Sequence, residues 1–185
     1  RRLCFDSPTT NEGVKLVLEG IRRDLGKPAS QVKPFSLEVI SKAVKLLKSS
    51  NSFMVWRTVW RITIGLFAML RFSEITRVSV RDIFFSDDGH MRIFIPRSKT
   101  DQRCKGLTKW LPAMKKSYCT VSLTKAFIAK FGFKEGFLQP RTLPGKALFD
   151  PHESISYGVG RNNIDRVMTL IGEPSEGYTE HSYKR

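Results

Sequence analysis

Residues 53–75 read FMVWRTVWRITIGLFAMLRFSEI. From Phe53 to Leu70 the apolar side chains fall on nearly every side of a 3.6-residue period, which predicts a helix buried all round and therefore central to a core. Its most apolar run, Ile62 to Leu70, falls well short of the ~20 residues a membrane helix needs. At the end of this helix Arg71 is followed by Ser73 and Glu74, a predicted start of a short new helix near Ser73, with Glu74 in the first turn where the helix dipole favours a carboxylate.

The pattern extends outward on both sides. Upstream, Phe35-Ser36 reads as a helix entry in which Ser36 caps and Phe35 staples onto Ile40, with Ile40, Ala43, Val44 and Leu47 on the apolar face. Earlier still, Ser7-Pro8 predicts the start of a helix carrying Val14, Val17, Leu18, Ile21 and Leu25 until Gly26 and Pro28 stop it. The polar, proline-punctuated stretch 26–34 (GKPASQVKP) separates the two, placing a boundary between residues 1–34 and 35–185.

Downstream the period changes to two. Ile83 to Phe85, a turn at Ser86 to Gly89, and Met91, Ile93 and Ile95 alternating with Arg92 and Phe94 predict a β-hairpin. A second turn over 98–106 leads to a third strand around Leu107 to Leu111. Further helices are expected from Ser122 to Phe131, closing at Gly132, and from about Gly160 to Ile171, closing at Gly172 before Pro174. The expected fold is mostly α, of α+β class, with one small three-stranded antiparallel sheet.

The 185 residues carry 32 Lys and Arg against 17 Asp and Glu, a net charge of +15. With 41% hydrophobic residues and 13 Phe, this is a folding chain and not a disordered basic tail. Such a surplus favours a polyanionic partner, nucleic acid before a membrane surface. It lies mostly before residue 121. Within 92–116, Arg92, Arg97, Lys99, Arg103, Lys105, Lys109, Lys115 and Lys116 face a single acid, Asp101, which marks this stretch as the candidate phosphate-backbone surface. Cys4, Cys104 and Cys119 form no Cys-x-x-Cys pair and read as free thiols of a reducing compartment. His90, His152 and His181 lack ligand spacing, so no metal is expected. No Gly-x-Ser-x-Gly elbow supports a hydrolase.

Taken singly, Arg71 reads equally as a core-edge arginine paired with Glu74, Lys99 as a solvated lysine and His181 as a surface histidine. Their order is more informative. The segments GLFAMLRFSEI (65–75), RSKTDQ (97–102) and GYTEHS (177–182), together with EGIRR (19–23), resemble the catalytic domain of the tyrosine recombinases, the phage-integrase family, and most closely the recombinases of eukaryotic mobile elements. EGIRR is similar to the last helix of that family's N-terminal core-binding domain, so residues 1–34 are expected to be its end plus linker, and 35–185 the catalytic domain.

The resemblance implies metal-free and cofactor-free cleavage and rejoining of duplex DNA in recombination and integration, with a tyrosine nucleophile, in the nucleus, by proteins that self-associate on DNA. It implies that Arg71 clamps the scissile phosphate, Glu74 holds the site, Lys99 protonates the leaving 5'-oxygen and His181 hydrogen-bonds the phosphate. Arg97, Arg103, Lys105, Lys109, Lys115 and Lys116 would contact the backbone. One position departs: the family's third box is His-x-x-Arg, and here Lys184 stands three after His181. A lysine supplies charge without the two-pronged fork. Arg185, one residue later, points about 100° away at helical spacing. None of Tyr118, Tyr157, Tyr178 and Tyr183 matches the family nucleophile, so the expectation is an incomplete catalytic domain, inactive as it stands. A non-catalytic DNA-binding module derived from a mobile element is the alternative, since every feature before residue 121 would serve it equally.

Overall fold

The computed structural model describes residues 11–25, 32–98, 105–142 and 149–184. Its contacts divide the chain into two compact units, Arg1–Gln31 and Val32–Arg185. In the first, α1 spans Glu12–Leu25. The expected start at Ser7-Pro8 lies outside the described residues; the described helix begins at Glu12, where Asn11 Oδ1 accepts from the Gly13 and Val14 amides. Two of the four free amide donors of that helix end are thus satisfied.

The second unit is built around α3. Its helices are α2 (Leu37–Leu46), α3 (Phe53–Ala68), α4 (Phe72–Ile75), α5 (Thr120–Phe131) and α6 (Tyr157–Leu170). Ser36 caps α2 as expected, its Oγ accepting from Val39 N, and Ile40, Ala43, Val44 and Leu47 are all buried. Phe35 is also buried, stacked at 5.0 Å on Tyr178. The long helix is buried along most of its length, and α2, α5 and α6 pack against it. Trp60 stacks on Phe127 of α5 at 5.6 Å and its indole N–H donates to Thr124 Oγ1 at 2.9 Å. That bond lets a tryptophan sit fully inside the core without stranding its one polar atom.

The three-stranded sheet forms with β1 (Ile83–Phe85), β2 (Met91–Ile95) and β3 (Leu107–Leu111), all antiparallel, in chain order. Ile83, Met91, Ile93, Ile95 and Leu111 are buried on its inner face. Beyond expectation, β4 (Pro140–Thr142) and β5 (Phe149–Ser154) pair as a second, two-stranded sheet with a bulge at Pro140/Arg141. Two helices start earlier than their sequence patterns indicate. α5 begins at Thr120. α6 begins at Tyr157, capped by Ser156, whose Oγ accepts from Val159 N. A final 3-10 turn covers Ser182–Lys184. No helix among the described residues is long and apolar enough to cross a membrane.

Candidate active site

α3 ends in a reversal at Met69, whose backbone adopts the left-handed conformation (φ 52°, ψ 43°). A side chain there costs about 1–2 kcal/mol. The reversal lets Leu70 plug back into the core while Arg71, in extended backbone, turns outward to open α4. Glu74, three residues on, binds it twice: Oε2 accepts from Arg71 N at 2.7 Å and Oε1 from Nη1 at 2.9 Å. Ser98 Oγ, beyond the end of β2, donates to the same Oε1 at 2.7 Å. The Glu74 side chain is 6% exposed and that of Arg71 38%. Among the described residues, Arg71 Nε and Nη2 have no partner, so the carboxylate orients the guanidinium from one side and leaves donors for an anion.

His181 lies on a second segment, after α6. Its ring is exposed, and its backbone N–H donates to Thr179 Oγ1 at 3.1 Å, while Thr179 N donates to Ser182 Oγ at 2.8 Å. The residues on either side of it, Glu180 and Ser182, are wholly buried. Tyr157, at the first turn of α6, joins this segment to the first: its ring meets Phe72, the residue after Arg71, edge-on at 5.4 Å and lies 6.1 Å from the His181 ring.

Beneath both segments lies Arg61 of α3, fully buried. Its Nη2 is 2.9 Å from Glu180 Oε1 and donates to Gly160 O of α6 at 2.9 Å; Nε donates to Glu180 Oε2 at 3.2 Å and Nη1 to Gln139 Oε1 at 3.0 Å. The guanidinium also stands 5.8 Å from the Phe72 ring centroid. Tyr183 Oη donates to Glu180 Oε2 at 2.8 Å. Burial pushes the Glu180 carboxyl above the usual carboxylate range, against the opposing pull of Arg61 and of the Tyr183 hydroxyl. Burial, with the Glu180 charge, likewise holds the Tyr183 phenol protonated. One turn earlier on α3, Arg57 donates to Pro140 O at 2.6 Å, and burial with the nearby Arg61 charge lowers its pKa to about 10.

No family model matches the sequence. The recombinase Cre of Escherichia phage P1 is 32% identical over 114 residues, covering 60% of this chain and 33% of that protein. Among solved structures, the XerH site-specific recombinase in a pre-cleavage complex with its difH substrate superposes with a TM-score of 0.55 at 15% identity, over 96% of this chain and 52% of that one. The FLP recombinase in a Holliday-junction complex gives 0.52 at 11%, over 100% and 47%. The fold is that of a tyrosine-recombinase catalytic domain. The chain spans a third of the length of Cre and about half of each of the two solved recombinases.

On this recombinase fold the residues singled out in the sequence are distributed as follows. Arg71 and Glu74 meet directly, and His181 reaches their segment through Tyr157 and Phe72. Lys99 and Arg103 lie outside the described residues, though Ser98, immediately before Lys99, touches Glu74. Lys184 contributes backbone to the last 3-10 turn and its side chain is outside the description. Arg97, Lys105, Lys115 and Lys116 are exposed. Lys109 pairs with Ile93 in the sheet register and so belongs to the inner-facing set, half-buried, not with the exposed bases. The described residues contain no group of three potential metal ligands, and Cys119 is a buried free thiol.

The residues that sequence reasoning missed are Arg61, Gln139, Tyr157 and Glu180. For Arg61 a signal was present: a charge inside a helix with no wet face must be paired somewhere.

Proposed function

We propose that this chain binds duplex DNA and supplies the phosphate-binding part of a tyrosine-recombinase active site, for strand cleavage and rejoining in recombination and integration. The observation that carries this reading is the Arg71 guanidinium, held from one side by Glu74 and Ser98 and, among the described residues, otherwise open. A phosphoryl transition state gathers charge on its non-bridging oxygens, and a pre-oriented arginine stabilises it without reorganising. On this reading Arg71 clamps the scissile phosphate, His181 hydrogen-bonds it and Lys99 protonates the leaving 5'-oxygen. Lys184 adds charge without a fork, and Arg97, Arg103, Lys105, Lys115 and Lys116 neutralise flanking phosphates, a set from which the inward-facing Lys109 drops out. The nucleophile is a tyrosine that forms a 3'-phosphotyrosyl link, reversed by a 5'-hydroxyl. We further propose self-association on DNA, descent from a mobile element and action in the nucleus.

The second reading, a DNA-binding module without catalysis, is favoured by three of the four tyrosines, the fourth being Tyr157, which is 45% exposed. Tyr178 and Tyr183 are buried, and the Tyr183 hydroxyl is engaged by Glu180. Tyr118 is stacked on Phe67 at 5.8 Å. Residues 1–185 alone are therefore proposed to bind but not to form the covalent link. A nicked suicide duplex tests this. The expected result is binding without a covalent protein-DNA band on a denaturing gel. A band lost in Tyr157→Phe would overturn it and make Tyr157 the nucleophile. Absence of duplex binding would overturn the DNA reading altogether.

A further inference from the structure

In an antiparallel sheet with one covered face, the other face normally carries polar side chains. Here it does not. The outward set comprises Phe84, Arg92, Phe94, Thr108 and Trp110, and the register aligns Phe84, Arg92 and Trp110 in one row across all three strands, with Phe94 and Thr108 in a second. Trp110 is 64% exposed, Phe84 47% and Phe94 37%. The Arg92 guanidinium lies 4.4 Å from the Phe84 ring centroid and 5.9 Å from that of Trp110, and among the described residues no carboxylate pairs with it. Phe94 is seated against the backbone of Gly106, where an added Cβ would come within 2.5 Å of the ring; Gly106 has φ +76°, so both space and backbone call for glycine.

We propose that this outer face is a stacking platform for an unpaired DNA strand, with bases laid on Trp110 and Phe94 and a phosphate on Arg92. The proposal rests on the DNA-binding reading and adds a second, single-stranded site to it. Two observations select this occupant. The charged side chain on this face is Arg92, and the three strands contain no acidic residue, which suits a polyanion. The exposed groups are flat rings beside a flat cation, and unpaired bases, unlike paired ones, have free faces to lay on them. The chain from Arg92 to Ser98, at the edge of the Arg71 site, spans no more than ~22 Å. A strand leaving a phosphate at Arg71 therefore reaches the platform within a few nucleotides.

Tryptophan fluorescence tests this directly, because Trp56 and Trp60 are buried and Trp110 dominates what an added ligand can quench. A short oligothymidylate is expected to quench the emission saturably, and a duplex of the same length is not. Trp110→Ala is expected to abolish the quenching and weaken single-strand binding about tenfold, measured with a dye-labelled oligonucleotide, with duplex affinity unchanged within about twofold. Duplex binding without any quenching by oligothymidylate overturns the platform and leaves the DNA reading standing. Failure to bind either form overturns both. Shielding of Trp110 that grows with protein concentration in the absence of DNA shows a second copy on this face and overturns the proposal.

Discussion

Arg61 and Glu180 face each other 2.9 Å apart, 119 residues apart in sequence, and neither side chain touches solvent. This pair joins α3 to the segment that presents His181, the next residue, so the core helix and the candidate site share one ionic joint. Removing either partner strands the other.

Glu180→Ala is therefore expected to lose about 3–5 kcal/mol of unfolding free energy, because Arg61 and the Tyr183 hydroxyl lose their common acceptor. Glu180→Gln keeps the shape and one acceptor oxygen, and is expected to lose less than half as much. Urea unfolding of the three proteins measures both. An alanine variant within about 1 kcal/mol of the parent contradicts the joint.

The same carboxyl gives a pH dependence with a defined sign. Its pKa in the folded protein lies above the ordinary 4.5, so between the two values the folded state holds a proton that the unfolded state has released. Stability from this group is complete below the unfolded pKa and is lost as pH rises through the raised folded pKa. The deficit of Glu180→Gln relative to the parent is expected to shrink as pH rises through that window, followed by unfolding at a series of pH values. A deficit that grows with pH refutes the direction.

Two glycines of α6 make a matched pair. At Gly160 an added Cβ would stand 2.5 Å from Glu180 Oε1 and 2.7 Å from the Phe72 ring, whereas at Gly158 nothing lies within 4 Å. Gly160→Ala is expected to cost about 1–3 kcal/mol by overpacking. Gly158→Ala is expected to be neutral or to stabilise by up to about 1 kcal/mol through helix propensity. Equal midpoints in thermal unfolding would falsify the close packing of α6 on Glu180 and Phe72.

Arg71 can be probed by charge and by shape separately. For duplex binding, Arg71→Ala is expected to reduce the slope of log K against log salt by about 0.9, the share of one phosphate. Arg71→Lys keeps that slope and lowers affinity at every salt concentration, since it retains the charge and loses the fork. Filter-binding titrations at several salt concentrations separate the two. An unchanged slope in the alanine variant shows that Arg71 contacts no phosphate.

How much of this was legible in the sequence depended on the range of each interaction. β3 falls on Leu107–Leu111 as expected, because alternation and a preceding turn are local. The extent of α3 and the apolar face of α2 were legible for the same reason. The start of α6 was missed because Tyr157-Gly158-Val159-Gly160 reads as a poor helix, and the Ser156 cap outweighs its two glycines. β4 and β5 were missed because Pro140 and Pro151 interrupt any strand pattern. The Arg61 joint was missed because its partners lie 78 to 119 residues away, beyond the reach of any periodicity. Glu74 was legible because its partner is three residues off.

The alternation of buried Glu180, exposed His181 and buried Ser182 separates two kinds of selection on adjacent codons. On the proposed function, a copy of this gene released from that function, yet still required to fold, is free to exchange His181 and is not free to exchange Glu180 or Arg61. Retention of the glutamate in a diverged copy thus records only that the protein folds, and exchange of the residue between two unchanged neighbours is the mark expected where the proposed function has been lost.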